Sequence, residues 1–166
     1  MLPTINTLLY ASDISEGSRP AFRMAVEQAV RHQANIVFLH AVEPFNGAAI
    51  ELLEAHLPHD TQNLHDRDWL NGHKARITAR IQSFLDTELS AGEALAQPPQ
   101  IRVLIGPPAK TIIRSADKLS ADLIVMGERS TSTASRLFFG STARKVLHHT
   151  RIPVLIVPLG ASKNND

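Results

Sequence analysis

Five unbroken apolar runs mark the chain: Ile5 to Ala11, Asn35 to Val42 (NIVFLHAV), Ile101 to Ile105, Asp122 to Met126 (DLIVM) and Pro153 to Val157 (PVLIV). Each has strand length, and none alternates apolar with polar residues. Continuous apolar strands are those buried on both faces, as in a parallel sheet covered by helices. The intervening stretches carry apolar residues at helical spacing. Phe22, Ala25, Val26, Ala29 and Val30 predict a helix from about Ser15 to His32, with Ser15 or Asp13 as its cap and Pro20 in its first turn. Leu70, Ile77, Ile81, Phe84, Leu85 and Leu89 share one face of a long helix that ends near Leu89. Ile112, Ile113, Ala116 and Leu119 face inward from a helix over about Ala109 to Leu119, and Ser141 to His149 reads as a shorter one. Phe45 to Asp60 is irregular, broken by Asn46-Gly47 and Pro58, and Ala91 to Pro99 is a linker.

The order β-α-β-α-β-α-β-α-β predicts a single doubly wound α/β domain over residues 1–160, followed by a disordered tail at 161–166. With 166 residues, one domain is the natural count and a two-sided core is within reach. Composition narrows the partners. A net charge of +1 offers no field for nucleic acid or an anionic membrane, and no apolar run approaches a bilayer span. The start, MLPTINTLLYASD, lacks a basic segment before its short apolar stretch, so no signal peptide is expected. The absence of cysteine removes disulfides, thiol catalysis and Cys-based zinc sites. A cytoplasmic protein is the expectation.

Ligands of open parallel sheets bind beyond the carboxyl ends of the strands, where the strand order reverses. The residues there are Asp13 after the first strand, Ala41-Val42-Glu43 at the second, Gly106 after the third and Gly127 after the fourth. Gly127 is expected to turn the backbone sharply and to admit a ligand where a Cβ would intrude. Gly140-Ser141-Thr142 opens the last helix, and free backbone N–H groups at a helix start suit a phosphate. Arg144 and Lys145 add charge nearby, as a phosphate clamp or as a solvated face. Asp13 is open to two readings, as a helix cap and as an acceptor for ribose hydroxyls or a phosphate-bound metal ion.

The stretch Asp122 to Val157 resembles the C-terminal signature of the universal stress protein family. Its nucleotide-binding members carry Gly, two residues, Gly, nine residues, then Gly-Ser or Gly-Thr. Here stand Gly127, Glu128-Arg129, Ser130, the nine residues from Thr131 to Phe139, and Gly140-Ser141. Asp13, the pair His40-Ala41 and the run Gly106-Pro107-Pro108-Ala109 are similar as well, so the likeness covers about residues 4 to 158. Phe45 to Asp68 is the part least like the family. The resemblance implies a Rossmann-like sheet of the adenine nucleotide alpha hydrolase type, in strand order 3-2-1-4-5, and a homodimer along the last strand. It implies that Ala11, Ser12 and Asp13 flank ribose and phosphates, that Ala41 meets adenine through its backbone, and that Met126 and Gly127 line the nucleoside. Arg129 and Ser130 then run beside the phosphates of ATP or another adenine nucleotide, with or without Mg²⁺ or Mn²⁺, and Gly140, Ser141 and Thr142 cradle them. Ser130 departs from the pattern, and a serine forced to positive φ is strained by roughly 1 kcal/mol or more.

Two functions follow. One is an ATP-binding regulatory stress-response protein in which the nucleotide orders Thr131 to Phe139 for a protein partner to read. The other is a nucleotide-free dimeric interaction module, its pocket closed by Ser130. Catalysis is not expected beyond slow ATP hydrolysis. The chain has no GxxxxGK[ST] loop and no GxGxxG after the first strand. The eight histidines show no metal-site spacing. His56, His59, His65, His148 and His149 read as solvated or packing residues.

Overall fold

The computed structural model describes residues 2–12, 16–43, 67–89, 93–129 and 140–159. Five strands, β1 (Thr7–Ala11), β2 (Asn35–Val42), β3 (Gln100–Ile105), β4 (Leu123–Arg129) and β5 (Val154–Leu159), form one sheet in the order β3-β2-β1-β4-β5, and every pairing is parallel. The helices are α1 (Arg19–His32), α2 (Arg67–Glu88), α3 (Pro108–Lys118) and α4 (Ser141–His149). Architecture and strand order agree with the sequence reading.

The unbroken apolar runs have the cause inferred for them. Successive strand residues point to opposite faces, and on β1, β2 and β4 both faces are covered, whereas Leu104 and Ile105 of the edge strand β3 are exposed. Leu8 and Tyr10 of β1, Ile36 and Phe38 of β2, and Leu123 and Val125 of β4 are buried with Phe22, Ala25 and Ala29 of α1 and Ile77, Ile81 and Leu85 of α2. Leu9, Val37, Leu39, Ile124 and Met126 are buried on the opposite side with Ile112 and Ala116 of α3 and Ala143 and Val146 of α4. Tyr10, Phe22, Phe38 and Phe84 form an aromatic knot in the first layer, with ring centroids 5.5 to 6.2 Å apart. Arg23 of α1 clasps Glu88 of α2 through two hydrogen bonds of 2.6 and 3.0 Å. Hydrogen bonding from Arg23 holds the Glu88 carboxyl below its usual range, against the opposing effect of its partial desolvation. The clasp is therefore intact at neutral pH and is released as acid protonates Glu88.

Boundaries differ from expectation in two places that matter. The residues 16–18 ahead of α1 form a single 3₁₀ turn, and Ser18 stands at the cap position without a side-chain cap bond. Asp13 and Ser15, the expected caps, lie outside the described residues. More important, β4 does not end at Gly127. It runs through Glu128 and Arg129, which pair with Pro158 and Leu159 of a correspondingly longer β5. The turn expected at Gly127 is absent, because the β5 backbone continues alongside and supplies hydrogen bonds that keep the chain extended. Among the described residues no helix is long and apolar enough to cross a membrane.

The start of β4 is tied to β1 by one side chain. Asp122 accepts hydrogen bonds from the backbone N–H of Asn6 (2.8 Å) and of Thr7 (3.0 Å), while its own N–H donates to the Thr7 carbonyl at 2.8 Å. Asp122→Ala is expected to lower unfolding free energy by about 1–3 kcal/mol by orphaning two donors. Asp122→Asn, which keeps one acceptor oxygen, is expected to lose less. Urea unfolding of the two variants checks the order.

Candidate functional site

A cavity of about 420 Å³ opens at the carboxyl ends of β1, β2 and β4, within the range of about 300–1,000 Å³ usual for ligand pockets. It lies where the strand order reverses between β1 and β4. Ala11 and Ser12 from β1 and the residue after it, Ala41 from β2, Met126 and Gly127 from β4, and Gly140, Ser141 and Thr142 at the start of α4 all border it. Eight of the eleven residues singled out in the sequence therefore meet in one place. Asp13 and Ser130 lie outside the described residues, and of Arg129 only the backbone, in β4, is described.

The wall is apolar on one side and polar on the other. Leu39, Met126 and Ile112 contribute hydrocarbon. Opposite them stands the first turn of α4, with Gly140 as its N-cap residue. The leading amides of a helix have no acceptor within it and carry the positive end of its dipole. The nine residues of α4 make a full two turns behind that end. Gly140 has φ −53° and ψ 157°, a conformation open to any residue, so its glycine is not required by the backbone. What a side chain would lose there is room. A Cβ on Gly140 would lie 3.1 and 3.3 Å from the two carboxylate oxygens of Glu128.

Glu128 was not among the site residues read from the sequence. Strand alternation explains its presence. Met126 faces the cavity, so two residues on Glu128 does as well, and its carboxylate Oε1 accepts a hydrogen bond from the Gly140 N–H. Alternation also reverses the reason given for Gly127. Its backbone borders the cavity, but its missing Cβ belongs to the other face. A Cβ there would come within 2.7 Å of Leu159 Cδ1 and 3.2 Å of Ala21 Cβ. Gly127 lets α1 and β5 approach the sheet, and it is not what clears space for a ligand.

His40 is the second residue whose role the pattern hid. Its Nδ1 is 3.0 Å from the Ser12 carbonyl oxygen, an acceptor, so the contact is made by the tautomer with a proton on Nδ1. The Ser12 N–H donates to the Leu39 carbonyl at 2.8 Å. Together these bonds hold the first residue after β1 against β2 and fix one lip of the cavity. Of the two readings open for Arg144 and Lys145, the structure fits the solvated face, since both are exposed and neither borders the cavity. His148 and His149 are exposed at the far end of the same helix.

The model of the universal stress protein family matches residues 4–158. A universal stress protein of Thermus aquaticus is 32% identical over 151 residues, 91% of this chain and 97% of that one. The stress response protein NhaX of Bacillus subtilis is 46% identical over 81 residues, which span 49% of this chain and 45% of its own. Among solved structures, the universal stress protein UspA of Lactobacillus plantarum is 26% identical and superimposes with a TM-score of 0.61 over 94% of this chain and 99% of that one. A universal stress protein in complex with cAMP shares the fold at 21% identity, with a TM-score of 0.56 over 95% of this chain and 99% of that one.

Gly127→Ala tests which face the glycine serves. Crowding Ala21 and Leu159 is expected to cost about 1–3 kcal/mol in denaturant unfolding. A loss within 0.5 kcal/mol would mean that Leu159 swings aside freely and that α1 does not need the glycine.

Proposed function

This chain belongs to the universal stress protein family, and we propose that its cavity holds an adenine nucleotide, ATP foremost, as the regulatory ligand of a stress-response protein. The observation that carries the reading is the pairing, in one cavity, of an apolar wall with the open start of a helix. A nucleoside is largely flat and apolar, and its phosphates are anionic. Leu39, Ile112 and Met126 suit the first, and the amides and hydroxyls of Gly140, Ser141 and Thr142 suit the second. In this reading Ala11 and Ser12 flank the ribose, and the Ala41 backbone meets adenine. Asp13 takes the ribose hydroxyls, while Arg129 and Ser130 run beside the phosphates. The complex of a related protein with cAMP supports an adenine ligand for this fold.

Binding, not turnover, is the function proposed. No GxxxxGK[ST] loop is present in the sequence to supply a lysine to the phosphates. Among the described residues no group of three His, Cys, Asp or Glu side chains is arranged to hold a metal ion by itself. In this reading Mg²⁺ or Mn²⁺ arrives with the phosphates, as part of the ligand.

The active form in this proposal is a homodimer through β5. Among the described residues, that strand has β4 as its one sheet neighbour. Its residues Val154 to Val157 are all apolar yet only half buried, a combination that leaves an edge open to pairing.

Native mass spectrometry of the full chain, incubated with millimolar ATP and Mg²⁺, tests both parts. The expected species is a dimer with one adenine nucleotide per chain. A dimer that stays empty would replace this reading with that of a nucleotide-free interaction module, and a monomer would remove the β5 interface. Gly140→Val is expected to weaken nucleotide binding by about 10- to 100-fold, the scale of lost hydrogen bonds to a charged group, and to leave the dimer intact. Unchanged affinity would take the start of α4 out of the site.

A further inference from the structure

We propose that Glu128 sets the charge preference of the cavity, acting against phosphate-bearing ligands by occupying the place their first phosphate would take. The proposal rests on the adenine-nucleotide reading and adds to it a specificity-determining residue.

Three observations converge. The β4 alternation that turns Met126 into the cavity turns Glu128 into it as well, so the carboxylate is inside the site by register and not by chance of rotamer. The carboxylate is already engaged, accepting a hydrogen bond from the Gly140 N–H at the positive end of α4. Finally, the other cavity-lining groups near that end are hydroxyls and backbone, since Arg144 and Lys145 are exposed and do not border the cavity. Among the described residues, Glu128 is the one acidic side chain in the cavity wall.

A phosphate seeks the same donor for the same reasons: an amide with no acceptor within its helix, and the helix dipole. One N–H cannot serve both anions at full strength. The nucleotide must either displace Glu128 or sit beside it, and two anions in contact repel in proportion to their charges. Adenosine meets neither obstacle. A nucleoside monophosphate meets it once, and ATP meets it most strongly. The side chain that completes the empty helix end thus grades the ligands by phosphate charge.

Isothermal titration calorimetry of the full chain with adenosine, AMP and ATP, in metal-free buffer at constant ionic strength, separates the possibilities. Glu128→Gln keeps the shape and an acceptor for Gly140 but removes the charge. It is expected to tighten ATP by about tenfold, AMP by less, and to leave adenosine within about twofold. Glu128→Ala is expected to give the same ranking, which guards against a new contact made by the glutamine amide. Equal changes for all three ligands, or weaker ATP binding in both variants, would overturn the proposal and leave Glu128 as a helix cap. Adenosine binding by the wild-type chain tests the pocket reading separately. If adenosine binds and the ATP ranking does not move, only the role of Glu128 falls. If none of the three ligands binds any of the proteins, the nucleotide reading falls and this inference with it.

Discussion

The handedness of the crossovers decides where this protein can have a site. Parallel strands joined through a helix cross over right-handedly. The chain moves outward from β1 to β2 and β3, and both crossing helices, α1 and α2, therefore fall on one face. It then returns to the far side of β1 and moves outward the other way, which puts α3 and α4 on the opposite face. The connections leaving β1 and β4 consequently diverge, one to each side of the sheet. A gap must open between two neighbouring strand ends, and it is bordered by whatever those ends carry. The cavity of about 420 Å³ is that gap. The hydrogen bonds around Ser12, to Leu39 and from His40, and the Asp122 clasp on Asn6 and Thr7 secure β1 at its two ends. At the cavity, the bonds around Ser12 tie the end of β1 to β2 and define one lip of the gap.

Within that frame the three residues at the end of β4 divide two tasks by strand period alone. Met126 and Glu128 belong to the cavity, and Gly127 belongs to the packing of α1 and β5. A glycine at this point is easily taken as ligand clearance, since it sits next to the site and stands in a motif with other glycines. The space its missing Cβ leaves is filled by Leu159 and Ala21. The two glycines of the motif thus have different physical causes. One is a packing requirement on the buried face, and the other, Gly140, leaves room for the Glu128 carboxylate at a place where backbone conformation makes no demand.

Sequence pattern carried most of the fold because its strongest signals are period and punctuation. The bounds of β2 and α4 were legible to the residue, since Asn35 to Val42 is a mostly apolar run closed by Glu43-Pro44 and Gly140 precedes the last helix. The end of β4 was not, because Glu128 and Arg129 are polar and follow a glycine, and their extended state depends on pairing with Pro158 and Leu159 some thirty residues on. Such long-range pairing leaves no mark in the local pattern. Eight residues that border the cavity were legible because strand ends and helix starts are local features. Glu128 and His40 were missed for the complementary reason. Glu128 acts through a register that became visible only when β4 was known to continue, and His40 acts through a carbonyl on a neighbouring strand. Counting by twos from Met126 would have put Glu128 in the cavity, had the strand not been stopped at the glycine.

The site also has to be stable without its ligand. The leading amides of a helix have no acceptor within it, and at the exposed start of α4 they turn to water or to a neighbouring side chain. Glu128 answers that need at Gly140 with a charged acceptor from the adjacent strand. An acceptor good enough to stabilise the unliganded helix end is, by the same electrostatics, a competitor for any anion that arrives later. Stability without ligand and affinity for phosphate therefore oppose each other at this one amide, and the balance is struck by a residue that lies between the motif's first glycine and its serine. A neutral hydroxyl at position 128 would shift the balance toward phosphate by weakening the resident acceptor. The carboxylate shifts it toward the unliganded form, which makes occupancy depend more steeply on what the ligand brings with it, whether a neutral nucleoside or a divalent ion that offsets the phosphate charge.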